Sequence, residues 1–399
     1  MLAIASELRR RDWQVHVAIS EPYAELVTAI DCRVEVIGSR EEFDQMIALP
    51  GLWRPLSGGR IIFKNAVPGF NIPYFKRLLE LAPSESSVLI AHPLDFASRV
   101  FHQLYPRISL VNVHLAPTTL YDPQRPPRMT ALSFELRRPP QLVRMLYACG
   151  DRLLFQRWLR PTLKTMFELA NSTPTSRSLF DWWTTGTCTI GLFPDWFGSP
   201  TRPANLFQPG FPLSDGPEEK DWHQLNELLC GFDRAPLAFT PGTAHRHAEK
   251  FFRIAIEVCR RLDEPGLLLT SHPEQLPEQL PQSIRAMGYV PFASLLPRCR
   301  MLIHHGGIGT TSQSLSACIP QVVVPMAFDQ FDNAERVSRL GCGNWIAYRK
   351  LSIKGLSQAV HSALNSDSIL ESVRQVADRF SGVNAIGATA DRIEAIVGG

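Results

Sequence analysis

The stretch HHGGIGTTSQSL, residues 304–315, decides the fold of this chain. The apolar MLI before it is typical of a strand, GGIG of a tight turn, and TTSQSL of the start of a helix. Strand, turn and helix together predict a βα unit of a parallel sheet. The amides of residues 306–311 would begin the helix, where unpaired N–H groups and the helix dipole attract anions.

Several side chains beside this turn can hold a diphosphate. His305 can donate a hydrogen bond from a ring nitrogen, and Thr310 and Thr311 can donate from their hydroxyls. Gly306 and Gly307 allow a phosphate to approach the backbone closely. The alternative is that these residues form only a turn and a helix cap, and GGIGTT by itself leaves both interpretations open.

A second polar stretch, MAFDQFDNAERV, follows the next predicted strand, QVVVP. Asp329, Gln330, Asp332 and Asn333 would lie at the same sheet edge, where such side chains suit sugar hydroxyls. Alternatively, Asp332 or Asn333 caps the helix ERVSRL. The two carboxylates invite a metal interpretation, but no His or Glu joins them at a fitting spacing, so a metal site is not favoured.

Outward from this region, short apolar runs alternate with helical patterns in both halves of the chain, which predicts two parallel sheets with crossover helices. The predicted strands are WQVHVAI, VEVI, VLIA and ISLVNV in the first half, and PLAFT, LLLT, MLIHH, QVVVP and NWIAY in the second. The second half opens with a strand, whereas the first opens with a helix. An opening strand and its loop, which usually help to build a ligand site, are therefore expected to be missing from the first half.

Length and composition limit the possible functions. With 399 residues, of which 45% are hydrophobic, two domains are expected. Lys and Arg (41) nearly balance Asp and Glu (38), which argues against a nucleic-acid partner. The eight cysteines include no Cys-x-x-Cys pair, and no apolar run approaches the roughly 18 residues of a membrane span. A cytoplasmic protein without structural zinc or a disulfide framework is predicted.

The segment from Tyr289 to Val337, YVPFASLLPRCRMLIHHGGIGTTSQSLSACIPQVVVPMAFDQFDNAERV, resembles the donor-binding signature of the family 1 glycosyltransferases of the GT-B fold. The likeness is greatest to bacterial members that act on lipids and natural products, such as the rhamnosyltransferases of rhamnolipid synthesis. Weaker similarity includes FTPGTAHRH and LFPDWF. The resemblance implies an α/β protein with two Rossmann-like, doubly wound parallel-sheet domains that face each other across a cleft.

The resemblance also implies domain bounds. An N-terminal acceptor-binding domain is expected at 1–210, a linker at 211–216 and a nucleotide-sugar-binding domain at 217–380. The C-terminal helix, in 381–399, is expected to cross back to the first domain. The linker also fits the interruption FQPGFPLSDGPEE, which is rich in proline and glycine.

Residue roles follow from the same resemblance. His305 would contact the diphosphate with help from the glycines and Thr310, and Asp329 with Gln330 would hold the sugar. Tyr289 stands where many relatives have a base-stacking tryptophan, and Phe292 where plant members have glutamine. The full donor-binding set is Gly242, Thr243, Tyr289, Phe292, His305, Gly306, Gly307, Thr310, Asp329 and Gln330.

The implied reaction is the inverting transfer of a hexose or deoxyhexose from a UDP or dTDP sugar to an acceptor hydroxyl. The diphosphate would be neutralised by His305 and the helix terminus, so neither a metal nor any cofactor besides the donor is expected. In the family, the catalytic base lies in a loop upstream of a stretch like MLAIASELRRR, which here begins at Met1. A start assigned too late, a shortened chain, and a degenerate protein that binds nucleotide sugar without transferring it are all compatible with this; as the chain stands, weak or no transfer is expected.

Three histidine-containing stretches of the sequence are further candidates. His92 and Asp95, in VLIAHPLDF, could line the acceptor site or support a base; alternatively, Asp95 caps a helix and His92 is a turn histidine. His114, in VNVHLAP, is also expected at the end of a strand, and the same two interpretations apply to it. His245 and His247 are expected to face solvent or a phosphate rather than a metal, because no third ligand accompanies them.

Residues 134–200 are rich in large apolar and basic side chains, including Leu146, Trp158 and Trp182. They could form a pocket for an apolar acceptor or touch the inner face of a membrane peripherally, or they could be only core. A separate alternative class is an NAD-dependent oxidoreductase, because Gly307-x-Gly309 and Asp329 loosely imitate the dinucleotide fingerprint. Ser312 replaces its third glycine, which argues against that class.

Overall fold

A computed structural model of the chain describes residues 1–397 except 50, 53, 55–56, 129–138, 202, 214–221 and 243–247. The chain divides into two compact units. The first comprises Met1–Pro127, Leu132–Pro212 and Asn384–Gly399. The second comprises Arg128–Ala131 and Leu213–Val383.

Every strand pair in the described residues is parallel, as the alternation of strands and helices predicts. The strands are β1 (His16–Ile19), β2 (Arg33–Val36), β3 (Val88–Ala91), β4 (Ser109–His114), β5 (Cys188–Gly191), β6 (Leu206–Phe207), β7 (Leu237–Thr240), β8 (Gly266–Leu269), β9 (Ile284–Met287), β10 (Met301–His304), β11 (Gln321–Val323) and β12 (Gly343–Trp345).

Helices connect these strands. They are α1 (Leu2–Arg10), α2 (Ala24–Thr28), α3 (Arg40–Ile47), α4 (Ser57–Ile61), α5 (Val67–Leu81), α6 (Phe96–Leu104), α7 (Pro140–Gly150), α8 (Gln156–Leu169), α9 (Leu179–Thr184), α10 (Trp222–Cys230), α11 (Glu249–Leu262), α12 (Phe292–Leu295), α13 (Ile308–Ser316), α14 (Gln330–Arg339), α15 (Ile353–Leu364), α16 (Asp367–Asp378) and α17 (Ala385–Val397). A π-helical turn precedes α5 and another, at Asp151–Phe155, precedes α8. No helix among the described residues is long and apolar enough to cross a membrane.

The strands of the first unit form two separate sheets. One has the order β1-β2 and the other β3-β4-β5-β6. Residues on opposite faces of β3 enter different cores: Leu89 joins a cluster with α5, α6 and α8, whereas Val88 and Ile90 pack with α1 and α17. Arg11 also binds the carboxylates of Asp391 and Glu394 on α17 at 2.6 and 2.7 Å.

The second unit contains one continuous sheet with the order β9-β8-β7-β10-β11-β12. Alternate residues of its strands are buried in two apolar clusters, one on each face. In chain order, β8 and β9 are added on one side of β7, and β10, β11 and β12 are then added on its other side. A doubly wound sheet of this kind binds ligands at its carboxyl edge, between the two adjacent strands at which the strand order reverses. Here those strands are β7 and β10.

The sequence patterns located most strands within a few residues but missed three of them. β5, β6 and β9 are short and lack a pattern of their own, and their place in the sheets depends on neighbouring strands. The predicted helix cap at Asp332 or Asn333 is wrong, because α14 begins earlier, at Gln330. Both residues therefore lie inside the helix.

Candidate functional site

The carboxyl ends of β7 and β10 bring Gly242 and His305 together. The strands pair in register from Leu237 with Met301 to Thr240 with His304, so the two following loops start side by side. The His305 ring is half-buried and lies against both Gly242 and Gly307. A Cβ added to Gly242 would lie 2.7 Å from His305 Cε1, and one added to Gly307 would lie 2.5 Å from His305 Nε2.

Gly242→Ala should therefore displace the His305 ring. Gly242 has a φ of +89°, a conformation that costs an L-residue about 1–2 kcal/mol, and the new methyl group would overlap the imidazole. Affinity for UDP or dTDP, measured by calorimetry, should fall about tenfold or more, since each 1.4 kcal/mol is a factor of ten. Gly288→Ala is the matched control, because an added Cβ there has nothing within 4 Å. Equal affinities in the two variants would contradict this arrangement.

Helix α13 begins immediately after this glycine-rich turn. Gly307 is its N-cap residue and provides no side-chain cap, so the first-turn amides are not occupied by such a group. Thr310 is half-buried, whereas Thr311 is fully buried, and its Oγ1 has no hydrogen-bond partner among the described residues. The loop, the helix terminus and the His305 ring thus provide an arrangement of donors suited to an anion.

His304, which no sequence pattern marks as functional, holds the shape of this loop. It is fully buried, and its Nδ1 accepts from the Gly306 amide at 3.1 Å. Its Nε2 therefore carries the proton and donates to Gln321 Oε1 at 2.9 Å. Burial lowers the pKa of His304 to about 4, which keeps the ring neutral. Two adjacent histidines indicate the end of a strand in the sequence. Only the packing shows that His304 supports the loop and that the His305 ring lies at the candidate site.

Asp329, Gln330 and Asn333 connect the β11–α14 junction to the same loop. Asn333 Nδ2 donates to the Gly306 carbonyl at 2.9 Å and to Asp329 Oδ2 at 2.8 Å. Gln330 Oε1 accepts from the amides of Met326 and Ala327 at 2.8 and 3.1 Å. Within the described part of the chain, the Gln330 amide nitrogen has no protein partner, so it can still donate to a ligand.

Burial raises the pKa of Asp329 from 3.8 to about 6. Because this folded-state pKa lies above the unfolded value, the stabilising contribution of the protonated form is fully present below about pH 4 and is lost as pH rises through about 6. The change is equivalent to at most about 3 kcal/mol. Asp329→Asn should therefore raise the Tm of the second unit at pH 7.5 and have much less effect at pH 4, in calorimetric scans. A destabilised variant at pH 7.5 would show that burial does not control this carboxyl.

Asp332 has a structural role. Its Oδ2 accepts from Arg336 Nε at 2.6 Å, and its Oδ1 accepts from the Arg128 amide at 3.1 Å. Arg128 also pairs with Glu335 at 2.8 Å and lies over the Trp345 ring. Asp332 thus attaches residue 128 to α14 and is not placed as a sugar ligand. Among the described residues, no group of three or more His, Cys, Asp or Glu side chains could hold a metal ion.

The remaining donor-side candidates are more scattered. Tyr289 is 58% exposed, so its ring is accessible for stacking. Phe292 begins α12 and packs against one apolar cluster of the second sheet, which favours a core role. Thr243, with His245 and His247, lies outside the described residues.

The acceptor-side candidates lie in the first unit at the end of β3. Asp95 is the N-cap residue of α6, and both of its oxygens accept from Ser98, from the amide at 2.9 Å and from the hydroxyl at 2.6 Å. His92 Nδ1 accepts from the Leu94 amide at 3.3 Å, and burial lowers the pKa of His92 to about 4. Both residues line a cavity in this unit. Their hydrogen bonds match the structural alternative, in which Asp95 caps the helix and His92 belongs to a turn.

Residues 139–200 contain both core and surface. Trp182 and Phe167 are buried in the first unit, and His114 bonds to Thr119 and to the Trp183 carbonyl. Burial lowers the pKa of His114 to about 3, consistent with a structural histidine. Four apolar side chains of α7 and the following π-turn are exposed: Met145 (55%), Leu146 (44%), Leu153 (66%) and Leu154 (46%).

Known proteins match part of the chain in sequence. Residues 261–384 match the family described as erythromycin biosynthesis protein CIII-like, C-terminal domain. The uncharacterised UDP-glucosyltransferase YojK of Bacillus subtilis is 28% identical over 159 residues, which are 39% of each chain. A sterol 3-beta-glucosyltransferase of Komagataella phaffii is 36% identical over 110 residues, 28% of this chain and 9% of that protein. The chain thus spans less than half the length of these curated relatives.

Solved glycosyltransferase structures match the whole fold. The kitacinnamycin glycotransferase is similar with a TM-score of 0.74 and 18% identity, covering 99% of this chain and 95% of that one. The glycosyltransferase VinC, solved in complex with dTDP, gives 0.69 and 18%, covering 100% and 95%. These findings confirm the predicted GT-B fold with two Rossmann-like units, and they confirm the likeness to family 1 glycosyltransferases.

Proposed function

We propose that this chain, with its GT-B fold, is an inverting glycosyltransferase that moves a hexose or deoxyhexose from a UDP or dTDP sugar to an acceptor hydroxyl. The observation that carries the proposal is the His305 ring packed against Gly242 and Gly307 at the reversal point of the second sheet, directly before α13. Sugar transfer releases a nucleoside diphosphate. An imidazole and helix amides at one place can stabilise the charge that develops on it.

The donor would then lie along the carboxyl edge of the second sheet. Its diphosphate would contact His305 and the start of α13, and its sugar would contact Asp329 and the Gln330 amide nitrogen. Above about pH 6 the Asp329 carboxylate is ionised and is a strong acceptor for a sugar hydroxyl. UDP and dTDP are favoured because YojK is named a UDP-glucosyltransferase and VinC was solved with dTDP.

The proposed transfer is independent of metal. Neutralisation of the leaving diphosphate is assigned to a ring nitrogen and to backbone N–H groups, so EDTA should leave turnover unchanged. The anomeric configuration of the product, read by NMR, checks the inverting stereochemistry. Retention of the donor configuration would contradict it.

Activation of the acceptor requires a group that removes the proton from its hydroxyl. The low pKa of His92 makes it a weak base at neutral pH, and both Asp95 oxygens already accept hydrogen bonds from Ser98. These two residues are therefore better placed to shape the acceptor side than to remove a proton. This observation favours a second candidate function, a protein that binds nucleotide sugar without transferring it.

A direct experiment separates the candidates. UDP, dTDP, their hexose derivatives and NADH are titrated against the protein, and nucleotide release is then followed with a panel of acceptor alcohols. Binding of a nucleoside diphosphate with sugar-dependent release supports the transferase, and binding without release supports the binding protein. Preferential binding of NADH would instead support the oxidoreductase alternative and refute both.

An apolar or lipid-like acceptor, with peripheral membrane contact, is proposed from the amphiphilic surface formed by Met145, Leu146, Leu153 and Leu154. Leu153 and Leu154 line a cavity of about 780 Å³ together with the basic residues Arg60, Lys64 and Arg157. Exposed leucines beside cations match an anionic lipid surface in both hydrophobicity and charge. The Komagataella relative, named for a sterol, is consistent with an apolar acceptor.

The double substitution Leu153→Glu and Leu154→Glu should weaken binding to phosphatidylglycerol vesicles more than tenfold, because burial of one leucine contributes about 1.5 kcal/mol or more. Vesicle sedimentation measures the effect. Leu26→Glu, at a residue 48% exposed on α2, is the matched control and should have little effect. If the double variant binds as the unmodified chain does, this surface has no role at membranes.

A further inference from the structure

Helix α14 has two polar faces with different partners. Gln330 and Asn333, on one face, contact the loops that follow β11 and β10. Asp332 and Glu335 lie on the opposite face, because a helix turns about 100° per residue. The first face belongs to the candidate donor site. The second face does not, and within the described part of the chain it is bound by Arg128, which belongs to the same unit.

Arg128 binds this opposite face with both its backbone and its side chain. Its amide donates to Asp332 Oδ1 at 3.1 Å, and its Nη1 donates to Glu335 Oε2 at 2.8 Å. Its guanidinium carbon also lies 4.6 Å from the centroid of the Trp345 ring, on β12. The Arg128 and Glu335 side chains are only 16% and 14% exposed, so water screens this ion pair less than a surface pair. We call these contacts the Arg128 clamp.

The start of α14 lacks a cap of its own. Among the described residues, the side chain of the N-cap residue Asp329 makes no capping hydrogen bond. Phe328, directly before it, has a φ of +54°, a left-handed conformation that is unfavourable for a residue with a side chain. Helix ends fray when their terminal amides are not capped. The first turn of α14 therefore depends on contacts from outside the helix, and the Arg128 clamp provides them at Asp332 and Glu335.

The glycine-rich turn before α13 has a separate support. His304 Nδ1 accepts from the Gly306 amide at 3.1 Å, and His304 Nε2 donates to Gln321 Oε1 at 2.9 Å. These two hydrogen bonds do not involve α14. Asn333 links α14 to this turn through the Gly306 carbonyl, at 2.9 Å. Loss of the Arg128 clamp should therefore displace the first turn of α14 more than it displaces the glycine-rich turn.

We propose that Arg128 is a positioning residue for the sugar of the donor. By binding the opposite face of α14, it holds the first turn of that helix, and with it Asp329 and Gln330, in place for the sugar hydroxyls. The inference rests on the proposed function, in which these two residues bind the sugar and His305 binds the diphosphate. Arg128 acts without contacting the donor. Its loss should weaken recognition of the sugar and leave recognition of the diphosphate.

Paired titrations separate these two contributions. UDP and UDP-glucose, and dTDP and dTDP-glucose, are titrated by calorimetry against the unmodified chain, Arg128→Ala and Arg128→Lys. In Arg128→Ala, affinity for the sugar nucleotide should fall about tenfold, which is the contribution of one hydrogen bond to a charged group, and affinity for the nucleoside diphosphate should change less than about threefold. Arg128→Lys keeps the charge beside Glu335 but not the planar group over Trp345, so its loss should be smaller. An equal loss for both ligands would overturn the proposal.

Arg374→Ala is the matched control. Arg374 is 68% exposed on α16 of the same unit and pairs with Glu371 at 3.9 Å, so its removal should change neither affinity. If the unmodified chain binds none of the four nucleotides, the proposed function fails and this proposal fails with it. If the unmodified chain gains affinity from the glucose and Arg128→Ala keeps that gain, only the role of Arg128 is refuted. The same affinity with and without glucose in the unmodified chain would refute sugar recognition at α14.

Hydrogen exchange tests the Arg128 clamp without any ligand. The amides of residues 330–334 should exchange at least about tenfold faster in Arg128→Ala than in the unmodified chain, whereas those of α13 and β10 should change little. The Asn333 amide, which donates to the Asp329 carbonyl at 2.9 Å, reports the first turn directly. Glu335→Gln removes the charge of the partner with little change of shape and should show the same pattern more weakly. Unchanged exchange in α14, or faster exchange throughout the second unit, would refute the positioning role.

Discussion

His305→Ala is expected to reduce turnover of the preferred sugar nucleotide about 100-fold or more. Loss of a preorganised donor to a developing oxyanion commonly costs this much. The ring is packed against Gly242 and Gly307, so it needs little reorganisation to meet the leaving diphosphate. Affinity for UDP or dTDP should also fall by about 10-fold or more, because a hydrogen bond to a charged group contributes about 1.5–3 kcal/mol.

Calorimetric titration and nucleotide-release kinetics measure these two effects separately. His361→Ala is the matched control, because His361 is an exposed histidine on α15 in the same unit. It should leave both quantities unchanged. Undiminished donor affinity in His305→Ala would remove the role assigned to this ring, and with it the main support for a diphosphate site at α13.

His304→Ala is expected to destabilise the second unit by about 3–5 kcal/mol. The substitution would leave the Gly306 amide without its acceptor and Gln321 Oε1 without its donor, and each buried unsatisfied group costs about 1–3 kcal/mol. The vacated space in the sheet adds to the loss. Donor affinity should fall as well, because the Gly306 amide and the start of α13 would no longer be held in place.

Native-state hydrogen exchange of the β10 amides measures the free energy of unfolding of this unit without assuming that both units unfold together. His361→Ala serves again as the control and should change this free energy by no more than about 0.5 kcal/mol. A stability loss below about 1 kcal/mol in His304→Ala would mean that the two hydrogen bonds do not hold the loop.

The sequence located the structural elements around residues 304–311 because their signals are local. A strand, a glycine-rich turn and a helix start follow one another within residues 301–311, so this loop could be located without knowing the rest of the fold. The roles of Asp332 and Asn333 could not be predicted in this way. Asp332 binds Arg128, 204 positions earlier, and Asn333 reaches back to Gly306. Contacts at such separations leave no local pattern.

The acceptor-side residues also separate what a local pattern predicts from what only tertiary contacts show. The sequence offered both a functional and a capping interpretation of His92 and Asp95, and the hydrogen bonds to Leu94 and Ser98 match the second. In the region rich in large apolar side chains, Trp182 is buried and Leu153 is exposed. This difference is visible only in the packing of helices α7–α9. Whether a side chain is buried depends on which other elements pack against its face of the helix.

By itself, the sequence determined that this protein has two parallel α/β units and a glycine-rich turn between a strand and a helix at residues 304–311, because periodicity, glycine turns and helix starts are properties of short segments. Only the tertiary structure decided that His304 holds the loop while His305 packs against Gly242 and Gly307, and that Asp332 serves the packing of α14. These depend on strand order and burial, which arise when segments distant in the chain meet.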